Sequence, residues 1–388
     1  MEIYLDNSAT TKTRAEVMES IIDIYENNYG NPSSLHRMGM EIEKKIDWAR
    51  KSVAKVINAR TEEIYFTGGG TESNNIAILG YLSNFFISKC VDKTFNVITT
   101  KIEHPSVYNI FKQFESVLDV RYLDVDSSGK IEISELENRI DENTLLVSIM
   151  QVNNELGTVQ DLDKIIEIVK SKNRRTKIHV DAIQAFGKMK VDTKKTLVDT
   201  MSFSSHKVHG PKGVGGLYVR SGYKINPIYF GASQEKGIRP GTENTAGIVG
   251  FGKACELICD NFQAETEKLY NLKKQYGMRL IQKIDDIKIN SDLGRNSAPH
   301  ILSISFKNIR GEVLVHYLER KGIYVSTGSA CSSKVKSDNR ILKSIGLNKE
   351  YVDGTIRISF GHYNSVDEIE YVVNTIKQSV NEIRMIMK

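Results

Sequence analysis

The chain reads as an α/β fold with a mostly parallel sheet and a second, smaller α+β unit, and three observations predict it. Short apolar strands alternate with helical stretches from Ile64 to Val219, the pattern left by repeated right-handed crossovers. Within it, Leu145 to Val152 is a nearly continuous apolar run, as expected of a parallel strand covered on both faces. Polar residues recur where the strands end: Thr71, His104, Asn154, Asp181, Gln184, His206 and Lys207. In open α/β sheets ligands bind beyond the carboxyl ends of the strands. Any one of these residues is more often a loop or cap residue; several meeting at one edge make a candidate site.

Taken in order, Ile3 to Thr11 reads as a short strand and polar turn, and Gly30-Asn31-Pro32-Ser33-Ser34-Leu35-His36 as a loop of turn formers. Ile42, Ile46, Ala49, Val53 and Val56 share one face and predict a helix over Met38 to Ile57. Strand Ile64 to Thr67 runs directly into Gly68-Gly69-Gly70-Thr71 and a helix carrying Ile76, Leu79 and Leu82. Further strands are expected at Asn96–Thr100, Leu145–Val152, Lys177–Val180, Val198–Phe203 and Gly216–Val219, with helices from Ser106 and across Ile165–Val169. A polar loop, 231–244, precedes a helical pattern reaching about Ile284, long enough to bridge two domains. Beyond Ser297 come strand Ile301–Phe306, helix Glu312–Lys321, strand Ile323–Val325, a loop with Cys331, strand Thr355–Phe360 and a helix from Val366. This places a large domain at 15–260 and a small one at 1–14 with 261–388.

Composition bounds the function. A net charge of +5 over 388 residues, without basic clusters, argues against a dedicated nucleic-acid binder. No apolar run is long enough to span a membrane, and Met1 to Asp6 does not read as a signal peptide. The four cysteines, Cys90, Cys255, Cys259 and Cys331, are too few for a disulfide scaffold and lack metal-type spacing. Cys255 and Cys259, four apart in a helical pattern, suit buried packing. A reducing, cytoplasmic setting is expected.

Two stretches carry chemistry. Strand, glycines and helix start at Ile64 to Asn75 gather free N–H groups and a helix dipole where an anion, phosphate above all, is held well. The spacing is neither Walker A nor G-x-G-x-x-G, so no nucleotide is implied, and a plain tight turn is the alternative. The second stretch, Ser202 to Gly216, passes through Ser204, Ser205, His206 and Lys207 into glycines. A lysine among small polar neighbours can be a depressed-pKa amine able to form a Schiff base with an aldehyde; an exposed loop lysine fits the same residues.

Further pieces complete an ordered set: Leu5-Asp6-Asn7-Ser8-Ala9-Thr10-Thr11, Gly30 to Ser34, Gly69 to Asn74, Glu103-His104-Pro105, Asn153-Asn154-Glu155, Val180 to Gln184, Ser205-His206-Lys207, Arg239 to Asn244 and Gly328 to Ser333. The set runs through nearly the whole chain and resembles the cysteine desulfurases of the NifS/IscS type, fold-type-I pyridoxal 5'-phosphate (PLP) enzymes of the class-V aminotransferase group. The resemblance implies a fold-type-I PLP-dependent transferase with a mostly parallel seven-stranded sheet, working as a cytoplasmic homodimer. In it Lys207 carries PLP covalently, and Asp181 pairs with the pyridinium nitrogen, keeping the ring a good electron sink. His104 stacks on the ring and takes part in proton transfer, while Asn154 and Gln184 bond the phenolic oxygen. Gly70, Thr71, Ser204 and His206 cradle the phosphate, with Thr242 given by the neighbouring subunit. Arg357 clamps the substrate α-carboxylate, with Asn31 and Asn154 on the substrate side. A capping Asp, a core His and a surface ion pair are the plainer alternatives for Asp181, His104 and Arg357.

Selectivity for sulfur is implied to rest on Cys331, set among small residues with Lys334 and Lys336 nearby to favour thiolate. L-Cysteine then leaves its sulfur on Cys331 as a persulfide, L-alanine is released, and the sulfur passes to an acceptor protein, an iron–sulfur scaffold or a tRNA-thiolation enzyme. No resident metal is implied, Cys331 being at most a transient iron–sulfur ligand. The rivals are a selenocysteine lyase or aminotransferase of the same fold, and a non-catalytic PLP-binding or sulfur-relay adaptor. Three departures stand out: Gly68 where relatives often have Ser, no His in Ser337 to Leu342, and no long tail after the last helix. The last two bear on acceptor docking.

Overall fold

The computed structural model describes residues 2–87, 92–328 and 339–386. The chain opens with β1 (Ile3–Tyr4), α1 (Ala15–Asn27) and α2 (Arg37–Val56), then β2 (Ile64–Thr67) enters α3 (Gly70–Ile87). Alternation follows: β3 (Asn96–Thr100), α4 (Pro105–Phe114), β4 (Asp119–Leu123), α5 (Ile133–Arg139), β5 (Thr144–Met150), α6 (Leu162–Lys172), β6 (Lys177–Asp181), β7 (Thr200–Ser204) and β8 (Gly215–Val219). The long α7 (Thr245–Lys283) leads to β9 (Ile287–Ile289), β10 (Ile301–Phe306), α8 (Gly311–Glu319), β11 (Ile323–Tyr324), α9 (Arg340–Ser344), α10 (Lys349–Val352), β12 (Thr355–Ser359) and α11 (Ile369–Ile386).

Among the described residues the main sheet has seven strands in the order β2-β8-β7-β6-β5-β3-β4. The pairs from β7 to β4 are all parallel. β8 is antiparallel to both β2 and β7, so β2 and β7 point the same way. The carboxyl ends of β2, β3, β5, β6 and β7 therefore share one edge. Every residue of β3, β5, β7 and β8 is buried, which explains why these strands read as unbroken apolar or small-residue runs rather than alternating ones.

Expected and observed ends differ where side chains take the backbone groups. The β5 run was expected to reach Val152, but the ladder stops at Met150 and Val152 forms only an isolated bridge with Val159. The strand expected from Val198 starts at Thr200, because the Val198 carbonyl accepts from Arg220 Nε at 2.7 Å. The sequence reading did not name β4 or α1. β4 sits at the sheet edge with four of its five residues half-buried, and α1 exposes Met18, Ile22 and Tyr25, which blurs its stripe.

A second, antiparallel sheet runs β12-β10-β9, and β1 pairs with β11. Their apolar side chains, with Leu269, Leu272, Tyr276 and Leu280 of α7 and Val372, Val373 and Ile376 of α11, form a core separate from the one under the main sheet. α7 serves both, giving Phe251 and Cys255 to the larger core. The buried pair Cys255 and Cys259 resolves into a fully buried Cys255 and a partly exposed Cys259. No described helix is long and apolar enough to cross a membrane.

Candidate active site

The common edge of the main sheet and the ends of β1 and β12 enclose a cavity of about 240 Å³. Its lining includes Gly70, Thr71, His104, Asn154, Asp181, Gln184, Ser204, His206, Lys207 and Arg357. A wider opening beside it shares Gly70, Thr71, Ser204 and His206 and is bounded by Tyr229.

The glycine turn is built by hydrogen bonding and close approach. Ser73 Oγ donates to the Gly69 and Gly216 carbonyls, each at 3.0 Å, tying the turn to β8. A side chain on Gly215 would meet Gly69 Cα and the Phe203 carbonyl oxygen, both at 2.7 Å. Gly69 itself has φ 146°, open to glycine alone at little cost. The first turn of α3 consequently points its N–H groups at the cavity edge. Ser204 Oγ, deeply buried nearby, has no hydrogen-bond partner among the described residues.

Lys207 ends the short turn that follows β7. Its Nζ donates to the carbonyls of Ser8 at 2.5 Å and Ala9 at 2.7 Å. The Ser8 carbonyl also accepts from Gln184 Nε2 at 3.0 Å, and Gln184 Oε1 faces His300 Nε2 at 3.0 Å. Asp181, 4% exposed at the end of β6, accepts from Asn74 Nδ2 at 2.9 Å and from the Ile183 N–H at 3.0 Å.

His104 caps α4, its Nδ1 accepting from the Ser106 N–H at 3.1 Å. That bond leaves the proton of the neutral ring on Nε2. Burial holds the His104 pKa below the ordinary histidine value, Asp181 opposing and Lys207 and Arg340 adding to the shift. His206 is pushed down to about 4, by burial first and then by Lys207, so it is neutral at pH 7. Arg357, 3% exposed on β12, donates to the Asn154 carbonyl at 2.8 Å and to Asp6 Oδ1 at 2.7 Å. Its Nε and the Asn154 Oδ1 are buried without partners among the described residues.

Two expected residues, Asn31 and Thr242, do not line this cavity. Asn31 is exposed, and its Oδ1 accepts from the Ser33 N–H at 2.9 Å, shaping its own turn. Thr242 lies exposed in the loop before α7 and does not line the cavity of its own chain. Cys331, with Lys334 and Lys336, lies outside the described residues, as does Cys90.

The sequence reading missed the support behind Asp181. Asn74, fully buried on α3, also donates to Ser106 Oγ at 2.9 Å, and its Oδ1 faces His179 Nε2 at 3.0 Å. Burial brings His179 down to about 3, so a neutral ring, its Nδ1 beside Thr200 Oγ1 at 2.9 Å, orients the amide that orients the carboxylate. Asn74 thus joins the Asp181 and His104 sides. A polar residue one turn into a helix that starts at a ligand edge was the available signal.

The family model for class-V aminotransferases matches residues 3–372. The chain is 40% identical over 386 residues to a protein named cysteine desulfurase IscS from Clostridium botulinum, covering 99% of this chain and 95% of the relative. It is 39% identical over 383 residues to a cysteine desulfurase of Nostoc sp., covering 98% and 94%. Among solved structures, a NifS-like protein superposes with a TM-score of 0.91 at 38% identity, covering 98% of this chain and all of that one. SspA in complex with cysteine gives 0.81 at 32% identity, covering 94% and 100%.

Proposed function

The chain belongs to the class-V aminotransferase family, among its cysteine desulfurases, and from that premise we propose that it is a PLP-dependent cysteine desulfurase that moves sulfur from L-cysteine to Cys331. The observation that carries the reading is the convergence of a lysine amine, a buried carboxylate held by an amide and a backbone N–H, and a glycine-started helix on one cavity.

The residues present fit PLP. Ser204 Oγ and Asn154 Oδ1 are buried polar atoms without partners, the state of groups built to meet a ligand. Gly70, Thr71, Ser204 and His206 would hold its phosphate, with Thr242 supplied by a second subunit. Lys207 would hold it covalently, Asp181 would face its ring nitrogen, and Asn154 and Gln184 its phenolic oxygen. When bound, PLP supplies an electron sink that loosens bonds at the amino-acid α-carbon.

The chain's own residues do the rest. Arg357 binds the cysteine carboxylate, its buried partnerless Nε adding a donor to the fork. The Lys207 amine or the neutral His104 moves the proton at the α-carbon. The Cys331 thiolate forms an S–S bond to the substrate sulfur as the Cβ–S bond breaks. That bond's electron pair stays with the carbon skeleton, which takes up a proton and leaves as alanine. The persulfide then passes to an acceptor protein, of iron–sulfur assembly or tRNA thiolation. We place the large domain at 15–260 and the small one at 1–14 with 261–388, supported by the two separate apolar cores. Asn31, exposed in its own chain, is proposed on the substrate side only as a contribution across a dimer.

Cys331→Ser should retain the cofactor's absorbance yet form no persulfide or sulfide from cysteine. Lys207→Ala should lose the borohydride-fixed cofactor. Persistent desulfuration by the serine variant would remove Cys331 from the reaction; alanine made from supplied pyruvate, with the cysteine sulfur retained in its keto acid, would favour an aminotransferase.

A further inference from the structure

The chain leaves the cavity wall at Gly328, carries Cys331, and is next described at Asn339 and Arg340, the start of α9. Arg340 does not return to its own sheet. Its Nη1 donates to the Lys101 carbonyl, and its Nη2 to the Glu103 carbonyl at 2.7 Å. Its guanidinium lies 4.0 Å over the Tyr108 ring, and Tyr108 packs against Tyr122 with centroids 5.3 Å apart. These partners belong to one short piece of backbone, the bend after β3 and the first turn of α4, whose cap is His104. Two charge-assisted bonds to carbonyls of alternate residues, plus a stacked face, fix a planar fork in three directions; an ammonium has no such geometry.

We propose that Arg340 is a positioning residue that rivets the chain downstream of Cys331 to the backbone presenting His104, so that the thiol and the proton-handling side of the cavity share one anchor. Gly328 lies at the cavity wall, and Arg340 is held at the His104 bend. The two described residues that flank the thiol-bearing segment therefore both lie at the site it serves. Its consequence for Cys331 rests on the desulfurase reading; the clamp on residues 101–108 does not.

The test compares the full-length PLP-loaded protein with Arg340→Ala, Arg340→Lys and Tyr108→Leu, the last removing the stacking face but not the cation. Hydrogen exchange followed by mass spectrometry should show amides of 101–108 and 340–347 opening together in the alanine variant, about tenfold faster. The lysine and Tyr108→Leu variants should fall between it and the wild type, the remaining peptides unchanged. Persulfide on Cys331 after a single turnover should fall about tenfold or more in Arg340→Ala with the cofactor retained. Unchanged exchange at 101–108 would overturn the proposal, and so would a rise spread over the whole chain, which would make Arg340 a general stabiliser. Opening at 101–108 with a normal persulfide yield would overturn the coupling to Cys331. A wild-type protein that forms no persulfide would instead sink the desulfurase reading, while exchange would still decide the clamp.

Discussion

Glu103 is fully buried beside His104, its Oε1 accepting from Thr100 Oγ1 at 2.8 Å and from the Met150 N–H at 3.0 Å. Burial pushes its carboxyl up to about 8, against those two bonds, with Asp181 adding to the rise. Oε2 has no partner, consistent with a neutral acid. The unfolded chain releases this proton near the ordinary carboxyl value of 4.5, the folded one only near 8. Between those pH values the folded state binds more protons, so stability declines as pH rises through the window and levels off above it. Glu103→Gln, which keeps the neutral shape, should match the wild type near pH 4.5 and gain on it by up to about 1 kcal/mol per pH unit toward pH 8. Urea unfolding at several pH values checks this; a constant difference across the window would mean that Glu103 is ionised when folded. The sequence disclosed Glu103 only as a neighbour of His104, because nothing in a single sequence tells a buried carboxyl from a capping one. His179 was hidden for the same reason.

At the scale of elements, the site depends on how closely the β2–α3 turn can approach β8. Gly215 opens β8 against the Gly69 backbone, and the atoms an added Cβ would meet at 2.7 Å are main chain, which cannot rotate aside. Gly215→Ala should therefore cost about 1–3 kcal/mol by overpacking. It should also weaken PLP binding, because the turn it displaces starts the helix proposed to hold the phosphate. Gly222→Ala is the control: its φ is 83° but nothing lies within 4 Å, so it should cost about 1–2 kcal/mol of backbone strain and leave PLP affinity unchanged. Equal losses of PLP affinity in both variants would mean that the close approach has no bearing on the cofactor. The glycine turn was legible as an anion cradle because strand, glycines and helix start are consecutive in the chain. The partner strand was not, since β8 joins β2 across a long stretch of sequence and antiparallel to its neighbours, a pairing that local pattern does not encode.

For the whole molecule, the features that obscured α1 in the sequence bear on how copies associate. Met18, Ile22 and Tyr25 lie on one face of α1, Tyr29, Leu35 and Met40 follow on the next loop and α2, and Phe230 lies in the loop after β8, Leu35 97% and Phe230 90% exposed. Single exposed apolar residues need no explanation, but so many large ones on consecutive elements mark an interaction surface. Tyr229, next to Phe230, borders the opening that leads to Gly70, Thr71 and His206, so a second copy seated here would lie beside the phosphate end of the cavity. The proposed homodimer accounts for both facts, and for Thr242 being exposed in its own chain. Tyr25→Asp with Phe230→Asp places two charges among these exposed apolar residues, and burying charges without partners is costly enough to separate subunits. Light scattering at micromolar concentration should show a dimer for the wild type and a monomer for the double variant, with PLP affinity reduced. Thr242→Ala should lower PLP affinity while the mass stays dimeric, since on the proposed reading it removes one phosphate contact and no apolar surface. A double variant that is monomeric yet binds PLP as tightly as the wild type would show that each subunit completes its own phosphate site, and would remove Thr242 from it.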